Sequence, residues 1–390
     1  MPASSSSSTK KMPVPLRMIL EELAPSRQEE SNLEALNKTW QATLAKAKEQ
    51  VPGISIESEG EIVFLGALSP GCTACKAGTW DCIFTTSRCN LKCEFCYSPL
   101  ALPPDYAGSV FGSTPVQIAG NHARTSISGV SFSGGEPFLE PGSLLEWVAW
   151  FKEHHPEQYT WIYSNGLLAD KSILQELGNL GLDEIRFNTA ASNYDHPTVM
   201  KNLTSAVRSI PNVTVEIPAI PEHAEKLFSC LQEWSARGVK YLNLHELIYE
   251  PGTLSASMPG KRQMVRLPDG HQTEINPDSR LLTFEVMKKV AKDGLPLAVN
   301  DCSLQSKLLQ IRGRRRNLSS ITKKPSEKLV GDETLESFCV YQDESDFQFI
   351  HPDFLPEIQA QQPAYKVVRI VREAPLVLNA KPRWIAFEEY

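Results

Sequence analysis

The chain lacks the excess of basic charge that nucleic-acid binding draws on. With Lys+Arg 39 against Asp+Glu 46 and a net charge of −7, it has no overall positive field to hold a phosphate backbone, and no nucleic-acid partner is expected. No apolar run approaches the roughly 20 residues that a membrane helix needs, and the start lacks the basic, apolar, small-residue order of a signal peptide. These absences lead to the expectation of a soluble, cytoplasmic protein without a membrane partner. No sequence repeat of about 20–50 residues is visible either, which argues against a solenoid or propeller.

What the chain has is length and a cysteine cluster. Its 390 residues, 41% hydrophobic, allow two or three domains around a large core. Cysteine is modest overall, but Cys72, Cys75, Cys82, Cys89, Cys93 and Cys96 share one short stretch. In a large cytosolic chain such clustering reads as metal or redox chemistry rather than disulfides.

The serine run Ser4–Ser8 cannot bury apolar area to offset its ordering entropy, so residues 1–12 read as a disordered tail. Residues 13–70 read as a helical extension. In it, Ser31 and Glu34 fit a capping box, and Leu33, Leu36, Trp40 and Leu44 recur at helical spacing until Pro52-Gly53. From Trp80 short β-rich runs alternate with helical stretches, the signature of βα units on a parallel sheet. The expected strands are Cys82–Thr86, Gly129–Phe132, Tyr159–Tyr163, Glu184–Asn188, Val213–Ile217, Tyr241–Leu244 and Leu295–Val299. Pro251 to Pro277 reads as a long loop, a candidate lid. The fold class is α/β: a partial, (β/α)6-like barrel over residues 71–305 with a C-terminal cap over 306–390, where a strand is expected at Lys366–Val371. In such barrels the chemistry sits at the C-terminal ends of the strands.

Directly after the first of these strands comes Cys89-Asn-Leu-Lys-Cys93-Glu-Phe-Cys96, a CxxxCxxC run. Three thiolates in a tight loop suit three irons of a [4Fe–4S] cluster and leave the fourth open for a ligand. Structural zinc sites instead use four ligands, generally as CxxC pairs. After the second strand stands Ser133-Gly134-Gly135-Glu136-Pro137. Two glycines there let backbone approach a ligand, and the carboxylate can accept hydrogen bonds from an ammonium. Ser164-Asn165 and Asn188 occupy the same relative position on the next two strands.

These residues resemble the radical S-adenosylmethionine (SAM) superfamily. The resemblance implies that Cys89, Cys93 and Cys96 hold a [4Fe–4S] cluster and that Phe95, Tyr97, Gly134, Gly135, Glu136, Ser164, Asn165 and Asn188 line a SAM pocket. It further implies reductive cleavage of SAM to a 5′-deoxyadenosyl radical, fed by an electron donor such as flavodoxin or ferredoxin. Cys72, Cys75 and Cys82 stay open between an auxiliary iron–sulfur cluster, zinc, a redox pair and inert thiols.

Cys302 ends an apolar run at the expected catalytic rim. Its S–H bond is weak enough to give a hydrogen atom to a carbon radical, whereas its bland reading is a small buried hydrophobe. Cys230 shares a helix face with Leu227, Leu231 and Trp234 and reads as packing; Cys339 has no assignment. His245-Glu246 reads either as a substrate-orienting pair or as a satisfied rim pair. The Arg312–Arg316 cluster is a solvated face or a site for an acidic leader. Together with Phe132–Phe138, Pro218–His223, Asn243–Leu247 and Asn300-Asp-Cys302, the cysteine stretch resembles the maturases of ribosomally made peptides (RiPPs), specifically proteusin-type and Nif11-class peptide epimerases. That resemblance implies a precursor-peptide partner with a leader, and L-to-D epimerisation with Cys302 returning the hydrogen. Other classes remain: a maturase forming thioether or C–C crosslinks, a small-molecule radical SAM enzyme, or a glycyl-radical activase.

Overall fold

The computed structural model describes residues 12–23, 32–103, 106–109, 112–267, 271–378 and 380–390. The serine run and Ser31 lie outside the described residues. Met12, read as the end of a tail, is buried.

The chain divides into two compact units, residues 29–310 and residues 1–28 with 311–390. In the first, helix Leu33–Gln50 buries Leu36, Trp40 and Leu44, the apolar stripe read from the sequence. The residue before it, Asn32, makes no side-chain cap. Instead its amide reaches Met264 O at 3.0 Å and accepts from Arg266 N at 2.8 Å. Strands β1 (Ile54–Glu57) and β2 (Ile62–Leu65) then form a hairpin, so the extension is not purely helical.

Seven strands run parallel: β3 (Trp80–Thr86), β4 (Gly129–Gly134), β5 (Tyr159–Ser164), β6 (Glu184–Phe187), β7 (Asn212–Ala219), β8 (Tyr241–Glu246) and β12 (Ala298–Cys302). Among the described residues the sheet order is β1-β2-β12-β8-β7-β6-β5-β4-β3, with β2 antiparallel to β12. Helices follow the parallel strands as expected, among them Pro141–His154, Lys171–Asn179, Pro197–Ser209, Ala224–Ala236 and Ser279–Asp293. This is the α/β partial barrel. Side chains alternate across each strand: Val130, Phe132, Ile185, Phe187, Leu242 and Leu244 form buried apolar layers, while the alternate positions carry polar groups that meet inside the barrel.

Three local expectations change. Cys72 and Cys75 sit on a short helix, Pro70–Lys76, and not in a turn; Ser69 Oγ caps it by accepting from Cys72 N at 3.2 Å. A Cβ on Gly71 would stand 2.5 Å from Arg186 Nη2 and 3.2 Å from Trp161, so only glycine lets this helix lie against the polar face of the sheet. The last parallel strand begins later than expected, because Leu295–Leu297 turn after the left-handed Gly294, which moves Asn300 and Cys302 into the strand. The stretch read as a loop over 251–277 contains β10 (Gln263–Arg266) and β11 (Gln272–Ile275). These form a small antiparallel sheet with β9 (Ile248–Tyr249).

The second unit is an antiparallel sheet of β13 (Lys328–Val330), β14 (Thr334–Tyr341), β15 (Phe347–Ile350), β16 (Lys366–Glu373) and β17 (Trp384–Glu389). One face buries Cys339, Tyr341, Val368 and Ile370 under Leu16 and Ile19 of helix Val14–Glu21. Cys339 is thus a packing residue. The arginine cluster lies on helix Leu304–Thr322 and is largely consumed internally. Arg314 donates to Leu376 O, Arg315 to Ala374 O, and Arg316 pairs with Asp332. Among the described residues no helix is long and apolar enough to cross a membrane.

Candidate active site

The cysteine loop leaves β3 and is stitched to the loop after β4. Gly135 N donates to Thr86 O and Glu136 N to Arg88 O, each at 2.8 Å. Ideal Cβ atoms on Gly134 and Gly135 would fall 1.9 Å from Thr86 O and 2.0 Å from Arg88 O. The close approach these glycines permit is therefore to the chain itself, and it fixes where the cysteine loop starts. Glu136 is fully buried and accepts from Ser164 Oγ at 2.8 Å, Asn165 N at 2.7 Å and Phe138 N at 3.2 Å. Burial pushes its carboxyl up, and these donors offset part of that. Asn165 Nδ2 in turn donates to Asn90 Oδ1 at 2.7 Å. One network thus joins the cysteine loop, Gly134–Glu136 and Ser164-Asn165. Asn188 stands at its edge: its amide bonds Ser164 O at 2.8 Å, while its side chain caps the turn at Ala191.

Cys89 is exposed and Cys93 and Cys96 are half-buried. Burial, and then the neighbouring Cys96 and Cys89, push the Cys93 thiol up to about 12. Three soft donors within electrostatic reach of one another fit a cluster that takes one thiolate on each of three irons. Among the described residues no three His, Cys, Asp or Glu side chains converge on a single ion, a geometry such a cluster does not require. Phe95 packs on Ile220, Leu247, Tyr249 and Met258. Tyr97, 53% exposed, lies under Lys307, whose Nζ is 5.2 Å from the ring centroid.

Inside the barrel the period-2 polar residues meet. Arg186 Nε is 2.8 Å from Glu184 Oε1, and its Nη1 is 2.8 Å from Glu216 Oε2, with the guanidinium 4.9 Å from the Trp161 ring centroid. Glu216 also accepts from Asn243 Nδ2 at 2.8 Å and lies 2.5 Å from His245 Nε2. His245 is the direct cross-strand partner of Cys302 at the C-terminal ends of β8 and β12. Burial raises Glu216, but Arg186 and His245 outweigh it and hold the carboxyl down to about 2. Burial lowers His245, but Cys302 and Glu216 carry the imidazole up to about 9. Burial raises Cys302, and His245, Lys307 and Lys76 overcome it, leaving the thiol below its ordinary value.

His245 and Glu246 do not act as a pair. Adjacent strand residues point to opposite faces, and Glu246 Oε2 instead accepts from Leu304 N at 2.7 Å. Cys72 lies against Asn243 Oδ1 at 3.4 Å and accepts from Asn300 Nδ2 at 3.7 Å. Cys75 is raised well above the ordinary thiol range by burial and then by Cys302 and Cys72. Cys230 is buried in helix Ala224–Ala236 with Leu227, Leu231 and Trp234, as packing requires. Sequence reading missed Arg186, Glu216 and Lys76. The usable signal was the run Glu184-x-Arg186, Thr214-x-Glu216, Asn243-x-His245, Asn300-x-Cys302, polar at every second position on four consecutive parallel strands of an otherwise apolar sheet.

A family model described as "4Fe-4S single cluster domain" matches residues 77–179. Over 294 residues the chain is 25% identical to a "Putative glycyl-radical enzyme activating enzyme" of Methanocaldococcus jannaschii, covering 72% of this chain and 76% of that one. It is 32% identical over 104 residues to the PqqA peptide cyclase of Granulibacter bethesdensis, covering 26% of each. Among solved structures, Streptococcus suis SuiB bound to S-adenosylmethionine aligns at 16% identity over 56% of this chain and 49% of that chain, with a TM-score of 0.42. The chain therefore spans only a quarter of the cyclase and about half of SuiB. The CxxxCxxC loop at the end of β3, the partial barrel around it and the iron–sulfur match across that stretch give the chain its likeness to the radical SAM superfamily, a likeness that supports a [4Fe–4S] cluster and S-adenosylmethionine as cofactors.

Proposed function

We propose that the chain is a peptide maturase that inverts L-residues of a ribosomally made, leader-bearing precursor peptide to the D form. The observation that carries the reading is the Cys302 thiol, half-buried at the C-terminal end of the last parallel strand beside His245. When bound at Cys89, Cys93 and Cys96, the cluster and S-adenosylmethionine supply a radical able to take a Cα hydrogen. Cys302 then returns a hydrogen atom to the planar Cα centre from the opposite side, which inverts it. Ser164 and Asn165, held in place by Glu136, form the cofactor side of the pocket, and a one-electron carrier such as flavodoxin or ferredoxin feeds the reaction. The local likeness to a peptide cyclase supports a peptide substrate.

The likeness to a glycyl-radical activating enzyme favours a second reading, in which the radical passes to a partner protein. The two separate in D₂O. Anaerobic, reconstituted enzyme with S-adenosylmethionine, reductant and precursor peptide should yield D-residues each carrying one solvent deuterium. The Cys302→Ala variant should still form 5′-deoxyadenosine but invert nothing. Peptide mass falling by two hydrogens per event would mean crosslinking instead, and a radical on a protein partner with no change in the peptide would mean an activase.

A further inference from the structure

Cys302 does not stand alone in the barrel. His245 faces it directly across the β8–β12 pairing, and His245 Nε2 is taken by Glu216 Oε1 at 2.5 Å. The other ring nitrogen, Nδ1, is buried and has no hydrogen-bond partner among the described residues. Glu216 is itself fixed by Arg186 and by Asn243, so the imidazole cannot turn away without breaking a buried ion pair. This is the order of a nucleophile, a base and an orienting carboxylate, placed here beside a radical-quenching sulfur.

We propose that Cys302, His245 and Glu216 form a thiol–imidazole–carboxylate relay in which His245 passes a proton to and from the Cys302 sulfur. The inference rests on the epimerase reading. Giving a hydrogen atom to the substrate radical breaks the S–H bond and leaves a sulfur-centred radical. One electron from the one-electron carrier that the enzyme already uses makes it a thiolate. The proton comes from the imidazolium of His245: with the thiol held low and the imidazole held high the pair rests as thiolate and imidazolium, and the S–H form that gives the next hydrogen atom arises when that proton crosses to sulfur, the neutral imidazole being recharged from solvent. His245 is thus a positioning residue for the next turnover.

The charges facing the pair are consistent with this role. Against burial, Cys302 and then Glu216 on β7, itself held charged by Arg186 on β6, keep the imidazole protonated, and His245, then Lys307 at the start of helix Leu304–Thr322 and Lys76 at the end of helix Pro70–Lys76, act on the thiol. Cys75, half-buried and held as a neutral thiol, and Tyr97, its ring centroid 6.5 Å from that of His245, complete the surroundings.

The test is the pH profile of Cys302 alkylation by iodoacetamide in the full-length reconstituted protein, read on the peptide that contains Cys302 by mass spectrometry. In wild type the midpoint should fall below the ~8.5 of a free thiol. In His245→Gln it should rise above that value, with alkylation at pH 7 at least about tenfold slower, a shift of one pKa unit or more. An ordinary midpoint in wild type overturns the relay with no variant needed, as does an unchanged profile in a folded His245→Gln protein. In turnover the variant should invert about one residue per enzyme and then stall, while still forming 5′-deoxyadenosine. Should wild type show the low midpoint and yet invert nothing, the epimerase reading falls and the thiol–imidazole pair stands.

Discussion

Gly135 shows how much one side chain can decide. A methyl group there would overlap the Arg88 carbonyl, backbone that cannot swing aside, and the hydrogen bond from Glu136 N to Arg88 O would be lost with it. Gly135→Ala should destabilise the protein by about 3 kcal/mol or more, the range of backbone clash and strain, and lower the iron bound per chain; urea denaturation and iron assay check both. The glycine pair was legible in the sequence as a place of close approach, but its partner was not. Nothing in Gly134-Gly135 says whether a ligand or residues 86–88 come near, because that depends on the parallel pairing of β3 with β4. The spacing of Cys93 and Cys96 was legible, since spacing within a short loop survives any fold.

At the scale of elements, strands β6, β7, β8 and β12 each present polar side chains to one interior. A buried ion pair of this kind is held by complete satisfaction of its charges; removal of one partner typically costs about 3–5 kcal/mol. The pKa values fix the sign of its pH dependence. Glu216 is held down to about 2, so its share of stability is present above the ordinary Glu value of ~4.3 and is lost as pH falls towards 2. His245 is raised to about 9, so its share is fully present below the unfolded value of ~6.5 and is lost as pH rises through 9. Wild type should therefore lose stability between pH 7 and 9.5, and His245→Gln should not; urea midpoints across that range would decide it, and parallel curves would refute the assignment. Helix-period stripes such as Leu36, Trp40 and Leu44 were readable in advance because each needs only its own helix. The hairpin β1–β2 and the small sheet β9–β11 were not: Ile54–Glu57 and Ile62–Leu65 are runs of only four residues, and Gln263–Arg266 and Gln272–Ile275 are polar enough to pass for loop, so each becomes a strand only by pairing.

For the whole molecule, the division into two units separates the chemistry from the C-terminal sheet. Every residue assigned here to cluster, cofactor or hydrogen return lies within 29–310, and Cys339 and the arginine cluster serve the packing of the other unit. The cysteine loop contributes few of the hydrogen bonds that hold the barrel; Cys96 N to Cys93 O, at 3.0 Å, is local to the loop. Chelating the iron should therefore abolish 5′-deoxyadenosine formation while moving the thermal midpoint by less than about 4 °C, the shift that roughly 1 kcal/mol gives a domain of this size. A collapse of the far-UV circular dichroism on chelation would instead make the iron a folding element, as in small zinc domains.

The sequence by itself determined the α/β class, the seven parallel strands to within a few residues, and the CxxxCxxC loop after the first of them. All of these rest on local period or spacing, which a single stretch of chain carries. Only the tertiary structure decided that Cys302 meets His245, that Glu216 and Arg186 stand behind them, and that Glu136 is consumed in holding Ser164 and Asn165. These contacts join residues far apart in the chain, and their distances are set by strand order and register, which no local pattern encodes.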